Sequence, residues 1–164
     1  MPRATMEVRE EEFERLTEAL RRLRYAANAE AVFLIDKAGQ QIAAAGEVEH
    51  FDSTSLASLT AGNVAATDGL AKLIGEREFS VLFHEGERDH IHISLVADRA
   101  ILLVIFNERS SLGLVRLRVR RASEELAEIF QDMNRRREVA VDREAEPSPF
   151  WEITDEDIDS LFSD

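Results

Sequence analysis

Three β-prone runs near the middle of the chain are joined by very short connections. The runs are "FSVLFHE", "HIHISLVA" and "AILLVIFN", and the segments between them are "GERD" and "DR". Parallel neighbours need a crossover of about a dozen residues or more, whereas antiparallel neighbours can be joined by turns of this length. The sequence therefore predicts three consecutive strands in an antiparallel meander.

A second pair of strands is predicted earlier in the chain, within "EAVFLIDKAGQQIAAAG". Two short β-prone runs flank the segment from Asp36 to Gly39. Glycine at the end of this segment can supply the positive φ that a tight turn requires. We therefore expect a hairpin whose turn contains Gly39.

Three other segments have the apolar spacing of amphipathic helices, with steps of three and four residues. The first helix is expected at about Val8 to Asn28, where the spaced residues are Phe13, Leu16, Leu20, Leu23 and Ala27. The second is expected from Thr54 to Gly75, with Asp52 or Ser53 as its N-cap.

The third helix is predicted in "LGLVRLRVRRASEELAEIFQDM", with Ser110 or Ser111 as its N-cap. Its first residues alternate apolar side chains with arginines, as a strand would. However, the helical spacing continues through the whole segment, which favours a helix. The expected order is α-β-β-α-β-β-β-α, an α/β (α+β) fold with a five-stranded antiparallel sheet and flanking helices.

Small residues recur at four-residue intervals along the second predicted helix, at Ala57, Ala61, Ala65 and Gly69. Residues spaced in this way lie on one face, and small side chains there allow another backbone to approach closely. Either this face meets another molecule, or the helix lies close to its own sheet. A bulkier second face favours the first alternative because it can cover the sheet, and it consists of Leu56, Leu59, Asn63, Ala66, Leu70 and Leu73 or Ile74.

The formal net charge of −13 is unevenly distributed along the 164 residues. From Glu138 onward the chain has ten acidic residues and one basic residue, Arg143. We therefore expect a domain at 1–137 and a separate acidic tail at 138–164 that begins as a flexible linker. Such an acidic chain lacks the clustered basic face that nucleic-acid binding requires.

The amino-acid composition excludes several further classes of site and of protein. The chain has no cysteine, so disulfides, thiolate zinc sites and cysteine nucleophiles are excluded. No apolar run reaches membrane-spanning length. We expect a cytoplasmic protein that does not insert into a membrane.

The acidic tail ends in a segment, residues 150–162, in which apolar side chains stand among carboxylates. The apolar residues are Phe150, Trp151, Ile153, Ile158, Leu161 and Phe162. This pattern is typical of a short amphipathic peptide that folds when it binds a partner. The alternative is a tail that only increases solubility.

Histidines at His84, His90 and His92 raise the possibility of a metal site. In the predicted meander, however, His84 pairs opposite Ile91 and points away from the other two. Two imidazoles without a third ligand make a poor zinc site. We expect no metal and no cofactor.

Four arginines at the start of the third helix, Arg116, Arg118, Arg120 and Arg121, could bind an anion or supply an arginine finger. The alternative is a solvated helix face in which Arg120 pairs with Glu124 and Arg121 pairs with Glu125. No phosphate-binding glycine loop and no catalytic pairing of side chains is evident. The sequence therefore predicts a protein without its own active site.

Four segments together carry a family resemblance: "TSLASLTAGNVAATDGLAKLIG", "EFSVLFHEG", "SLGLVRLRVRRASEEL" and "SPFWEITDEDIDSLF". From about Glu11 to the end, the chain resembles the roadblock-domain regulators of bacterial gliding motility and cell polarity. The resemblance implies the roadblock fold and a homodimer. It also implies binding to the Ras-like GTPase MglA in its GTP-bound form and acceleration of GTP hydrolysis, in the cytoplasm and at a cell pole.

The resemblance further implies that the GTPase supplies its own catalytic arginine and glutamine. The binding helix of the family corresponds to Thr54 to Gly75. The expected partner-facing residues are Ala57, Ala61, Ala65, Asp68, Gly69 and Lys72, and the expected contacts from the tail are Ile153, Ile158, Leu161 and Phe162. The alternative function is a roadblock scaffold or adaptor that has no effect on hydrolysis.

Overall fold

The computed structural model describes residues 7–145. Helices and strands follow one another as α-β-β-α-β-β-β-α, which confirms the predicted fold class. An additional 3-10 helix lies at Val48–His50. The principal elements are α1 (Glu10–Ala27), β1 (Ala31–Asp36), β2 (Gln41–Gly46), α2 (Ser53–Leu73), β3 (Val81–Glu85), β4 (His90–Val96), β5 (Ala100–Phe106) and α3 (Leu112–Ala145).

The five strands form one antiparallel sheet in the order β2-β1-β5-β4-β3. The hairpin and the meander are both present as predicted. They are joined by pairing of β1 with β5, in which Phe33 lies opposite Leu103 and Leu34 opposite Leu102. The central strands β1 and β5 are buried along nearly their whole length, and β2 and β3 form the two edges.

Alternation along the strands divides the core between the two faces of the sheet. On one face, α2 packs against a cluster that includes Phe33, Ile93 and Leu103. On the other face, Val32, Leu34 and their cross-strand neighbours are fully buried. This second face is covered by α1 and by the first part of α3. The buried stripe of α1 includes Leu16, Leu20 and Leu23, and that of α3 includes Val115, Val119 and Leu126.

Side-chain caps fix the start of two helices where the sequence predicts them. The Asp52 carboxylate accepts hydrogen bonds from the Ser55 backbone N–H (3.2 Å) and the Ser55 hydroxyl (2.6 Å). The Ser111 hydroxyl accepts a hydrogen bond of 3.2 Å from the Leu114 N–H at the start of α3. At its other end α2 stops at Leu73, two residues before the predicted end at Gly75.

α3 is longer than its apolar spacing predicts, because it continues to Ala145. The prediction therefore placed the start of the flexible linker too early, at Glu138, because residues 138–145 are helical.

The chain divides into compact units at Met1–Phe130 and Gln131–Asp164. Within the second unit, the Arg135 guanidinium lies 3.3 Å from the Asp132 carboxylate, an i, i+3 pair on the helix surface. The division at residue 137 stays a prediction.

Candidate partner-binding surface

The helix α2 has one side turned to the sheet and one side without cover from the described part of the chain. Its buried residues are Ala57, Thr60, Ala61, Val64 and Ala71. On the opposite side, Leu59 is 73% exposed and Leu73 is 83% exposed. We define the α2 outer face as Leu59, Gly62, Ala66, Gly69, Leu70 and Leu73, all of which are exposed.

The first two residues of the small-residue stripe do not belong to a partner surface. Ala57 and Ala61 are only 3% and 8% exposed and belong to the core cluster beneath α2. Their small side chains let the hairpin turn approach the helix. A Cβ built on Gly39 would lie 3.2 Å from the Ser58 Cα and 3.5 Å from the Ala61 Cβ. The prediction that Ala57 and Ala61 face a partner is therefore wrong, since close packing within the chain explains them.

The second half of the stripe is exposed, at Ala65, Gly69 and Lys72. Asp68 is half-buried, and its Oδ1 has no hydrogen-bond partner among the described residues. A Cβ built on Gly69 would meet nothing within 4 Å, and the same holds for Gly62. Glycine in a helix interior costs about 0.5–1 kcal/mol relative to alanine. No packing within the described chain accounts for glycine at these two positions.

The bulkier face of the helix does not cover the sheet as expected. Leu56 and Asn63 are half-buried, whereas Leu59, Ala66 and Leu70 are exposed. The signal that indicates this arrangement is present in the sequence: α2 is apolar around nearly its whole circumference. A helix of that kind is normally covered on more than one side. Its outer face is thus an apolar surface that nothing in residues 7–145 covers.

The edge strand β3 lies close to the middle of α2. The Asn63 side-chain nitrogen is 3.1 Å from His84 Nε2, and Leu82 packs against the cluster under the helix. Val81, at the start of the strand, is also exposed. An edge strand carries backbone groups that a further strand can pair with. The α2 outer face and the β3 edge therefore offer two neighbouring surfaces for association.

The three strand histidines have separate surroundings. His84 pairs opposite Ile91, as predicted. His90 contacts the rings of Phe83 and Phe106. His92 is buried, and burial, followed by the charge of Arg116, holds its pKa below 6.5. Among residues 7–145, no group of three or more histidine, aspartate or glutamate side chains could hold a metal ion.

The arginine face of α3 is arranged differently from the predicted ladder. Glu125 pairs with Arg22 of α1, and no carboxylate of the described chain lies within ion-pair distance of Arg121. Tertiary packing of α1 beside α3 provides a partner that spacing along one helix cannot reveal. The predicted pairings of Arg120 with Glu124 and of Arg121 with Glu125 are therefore both wrong.

The predicted contacts Ile153, Ile158, Leu161 and Phe162, together with the whole segment 150–162, lie outside the described residues. Among residues 7–145, no helix combines the length and the apolar character needed to cross a membrane.

The Roadblock/LC7 domain model matches residues 15–106, more than half of the chain. The chain therefore belongs to the Roadblock/LC7 family. Its structure is similar to that of Myxococcus xanthus MglB, with 54% sequence identity and a TM-score of 0.74 over 78% of this chain and 96% of that chain. The gliding protein MglB of Thermus thermophilus is 35% identical, with a TM-score of 0.72 over 76% of this chain and 95% of that chain.

A further solved structure, MglB with a tetrameric arrangement, is 34% identical, with a TM-score of 0.71 over 77% of this chain and 95% of that chain. Comparison with curated protein sequences gives no match.

Proposed function

We propose that this chain is a homodimeric regulator that binds the Ras-like GTPase MglA in its GTP-bound form and stimulates GTP hydrolysis. Through this activity it would control cell polarity and gliding motility, in the cytoplasm and at a cell pole. The observation that carries the proposal is the exposed, apolar, glycine-containing α2 outer face. The 54% identity with Myxococcus xanthus MglB supports the choice of partner.

Self-association is proposed to take place through the α2 outer face. Gly62 and Gly69 leave open space where a second backbone can approach, and Leu59, Leu70 and Leu73 flank that space with apolar side chains. Exposed apolar patches of this kind usually mark interaction sites. A two-fold axis lets one such face bury an identical copy of itself. The neighbouring β3 edge could extend the same interface by strand pairing.

The GTPase is proposed to contact the second half of the helix, at Ala65, Asp68, Gly69 and Lys72. If two copies of α2 straddle a two-fold axis, a GTPase that sits over them covers both subunits and blocks a second copy. The expected complex contains two regulators and one GTPase. Light scattering that finds an equimolar complex at saturating GTPase would contradict this arrangement.

No arginine of this chain is proposed to enter the GTPase site. Arg116 and Arg120 lie on α3, which covers the face of the sheet opposite α2. An arginine finger contributes roughly 10³ to 10⁵ in rate. Alanine at Arg109, Arg116, Arg120 or Arg121 should therefore leave hydrolysis within about tenfold of normal. One variant that binds normally but has lost nearly all stimulation would reveal a finger.

The C-terminal peptide at 150–162 is proposed as a second contact with the GTPase, through Ile153, Ile158, Leu161 and Phe162. Tethering would raise its effective concentration near a GTPase already bound at α2. Because α3 extends to Ala145, truncation after Ala145 removes the peptide and keeps the helix. The truncated protein should still self-associate but bind the GTPase more weakly. If the affinity, the hydrolysis rate and the nucleotide-exchange rate are all unchanged, the tail serves only to increase solubility.

The decisive experiment measures single-turnover GTP hydrolysis by MglA with and without this protein. Stimulation that is lost in Ala65→Arg and kept in Ala140→Arg would support the proposal. Ala140 is the matched control because it is an exposed alanine on another helix. Binding without stimulation would favour the alternative, a roadblock scaffold or adaptor. Absence of both binding and stimulation would overturn the proposal.

A further inference from the structure

A groove of about 680 Å³ lies on the face of the sheet away from α2, between the β3–β4 half of the sheet and α3. Its floor includes His92 and Ser94 of β4, and its wall on α3 includes Arg116 and Arg120. Apolar side chains, among them Val81 and Val119, complete the lining. The groove therefore combines polar groups at its base with apolar sides, the usual make-up of a small-molecule site.

Two polar side chains at the base of the groove are buried without a hydrogen-bond partner in the described chain. His92 is 2% exposed and Ser94 is 5% exposed, and the unpartnered atoms are His92 Nδ1 and Ser94 Oγ. The two residues are separated by one position on β4, so their side chains lie on the same face of the sheet. Buried polar atoms are nearly always hydrogen-bonded in folded proteins. Each of these two atoms therefore calls for a partner that the described chain does not supply, and one ligand in the groove could serve both.

The charge of the groove favours an anion as that partner. Arg116 lies close enough to His92 to help hold the pKa of the imidazole low, after burial as the larger cause. Among the described residues, Arg116 and Arg120 have no carboxylate within ion-pair distance. Glu124 is the one acidic side chain that lines the groove, four residues beyond Arg120 on the helix. The cationic side chains therefore outnumber the acidic side chain at the lining.

We propose that this groove binds a small organic phosphate, with its phosphoryl group held by Ser94, His92 and Arg116. The Ser94 hydroxyl can donate one hydrogen bond, and a neutral imidazole with its hydrogen on Nδ1 donates another. The guanidinium of Arg116 can hold two oxygens at once. Donors from three side chains match the three free oxygens of a phosphate monoester better than the two of a carboxylate. The apolar sides of the groove accommodate the organic part.

The test uses the full chain with isotope-labelled histidine and follows the imidazole signals by NMR at fixed pH and constant ionic strength. The probes are phenyl phosphate, inorganic phosphate and benzoate. Phenyl phosphate should shift the His92 signal saturably and bind more tightly than the other two. Tighter binding of inorganic phosphate would overturn the organic part of the proposal, and tighter binding of benzoate would overturn the phosphoryl part.

Two variants distinguish a specific phosphate site from non-specific attraction of anions to the positively charged helix. Arg116→Gln should weaken phenyl phosphate binding by about tenfold or more, because it removes a charge-assisted hydrogen bond. Arg121→Gln removes the same charge from the same helix, and Arg121 does not line the groove. It should change the affinity by less than about twofold, since distant exposed charges are screened.

Equal weakening by both variants would overturn the proposal. So would the absence of a saturable His92 shift at tens of millimolar phenyl phosphate. In that case ordered water or a second copy of the chain satisfies the buried atoms instead.

Discussion

The two halves of the small-residue stripe on α2 have opposite environments. Ala57 and Ala61 are buried against the sheet and the hairpin turn. Ala65 and Gly69, with the same four-residue spacing, are exposed. A helix turns once in 3.6 residues, so each step of four residues advances the position by about 40° around the axis. Over the twelve residues from Ala57 to Gly69 the stripe rotates by about 120°, from the core to the outer face.

The difference shows that one stripe of small residues can lie in two separate environments along one helix. In the first half, small side chains allow a close approach within the chain, as the short distance from Gly39 to Ser58 demonstrates. In the second half, small residues leave a surface that the described chain does not use. The two halves should therefore respond to substitution in opposite ways. Four experiments test this contrast, beginning with the largest expected effect.

Arginine placed in each half should separate folding from association. Ala61→Arg buries a charge in the core cluster and should destabilise the fold by about 3–5 kcal/mol, measured by urea unfolding. Ala65→Arg, on the exposed side, should change the stability of the isolated chain by about 0.5 kcal/mol or less. It should nevertheless abolish co-elution with GTP-bound MglA in size-exclusion chromatography. A soluble, fully stable Ala61→Arg protein would eliminate the contrast between the halves.

Alanine at Gly39 tests the close approach between the hairpin turn and the buried half of the helix. The φ of Gly39 is +90°, and an added Cβ would lie 3.2 Å from the Ser58 Cα. Backbone strain alone should cost about 1–2 kcal/mol. Gly75→Ala is the matched control, because Gly75 has a φ of +81° with nothing within 4 Å of an added Cβ. A larger loss of stability at Gly39 than at Gly75 measures the packing contribution, and equal losses would exclude it.

Alanine at Gly69 tests the exposed half. Because an added Cβ meets nothing within 4 Å, Gly69→Ala should stabilise an isolated chain by about 0.5–1 kcal/mol. The measurement is made in a Leu59→Arg background, which disrupts the same outer face about 15 Å along the helix. In the otherwise unchanged protein, the same substitution should weaken self-association. Stabilisation without any loss of association would mean that no second backbone approaches Gly69.

Acidification should loosen the buried half of α2 first, because that half contains the N-cap. The Ser55 hydroxyl, followed by the Ser55 N–H, holds the pKa of Asp52 below 3.8. A depressed pKa means that the cap stabilises the folded state above pH 3.8 and that this contribution is lost as the pH falls through the folded-state pKa. The protection of the Ser55 amide, which is its exchange rate relative to the intrinsic rate at each pH, should then fall over that range in the natural protein. In Asp52→Asn the protection of the same amide should not change with pH over that range.

Interactions between residues that are near one another in the sequence were sufficient to predict most of the fold. Connections as short as those around Asp98 permit only antiparallel neighbours, and residues such as Asp52 and Ser111 satisfy the free N–H groups at a helix start. The position of His84 opposite Ile91 followed from counting an even loop. The end of α3 was missed because residues after Met133 lose the apolar spacing, although the helix continues to Ala145.

The candidate partner surface was only half predictable. Ala65, Gly69 and Lys72 are exposed, so their contact with a partner stays a prediction, whereas Ala57 and Ala61 are buried. Spacing identifies residues that share a face, but it contains no information about the direction of that face when a helix is apolar on several sides. The groove beneath α3 was also missed, because His92 and Arg116 come from elements that are distant in sequence.

The sequence by itself determined the order of the elements, the antiparallel connections, the capping residues and the family. These features depend on interactions between residues that are near one another in the chain. Only the tertiary structure decided that α2 turns Ala57 inward and Ala65 outward, and that Glu125 pairs with Arg22. Those outcomes depend on which surfaces bury the most apolar area when distant segments meet, and that competition is settled by the packed core as a whole.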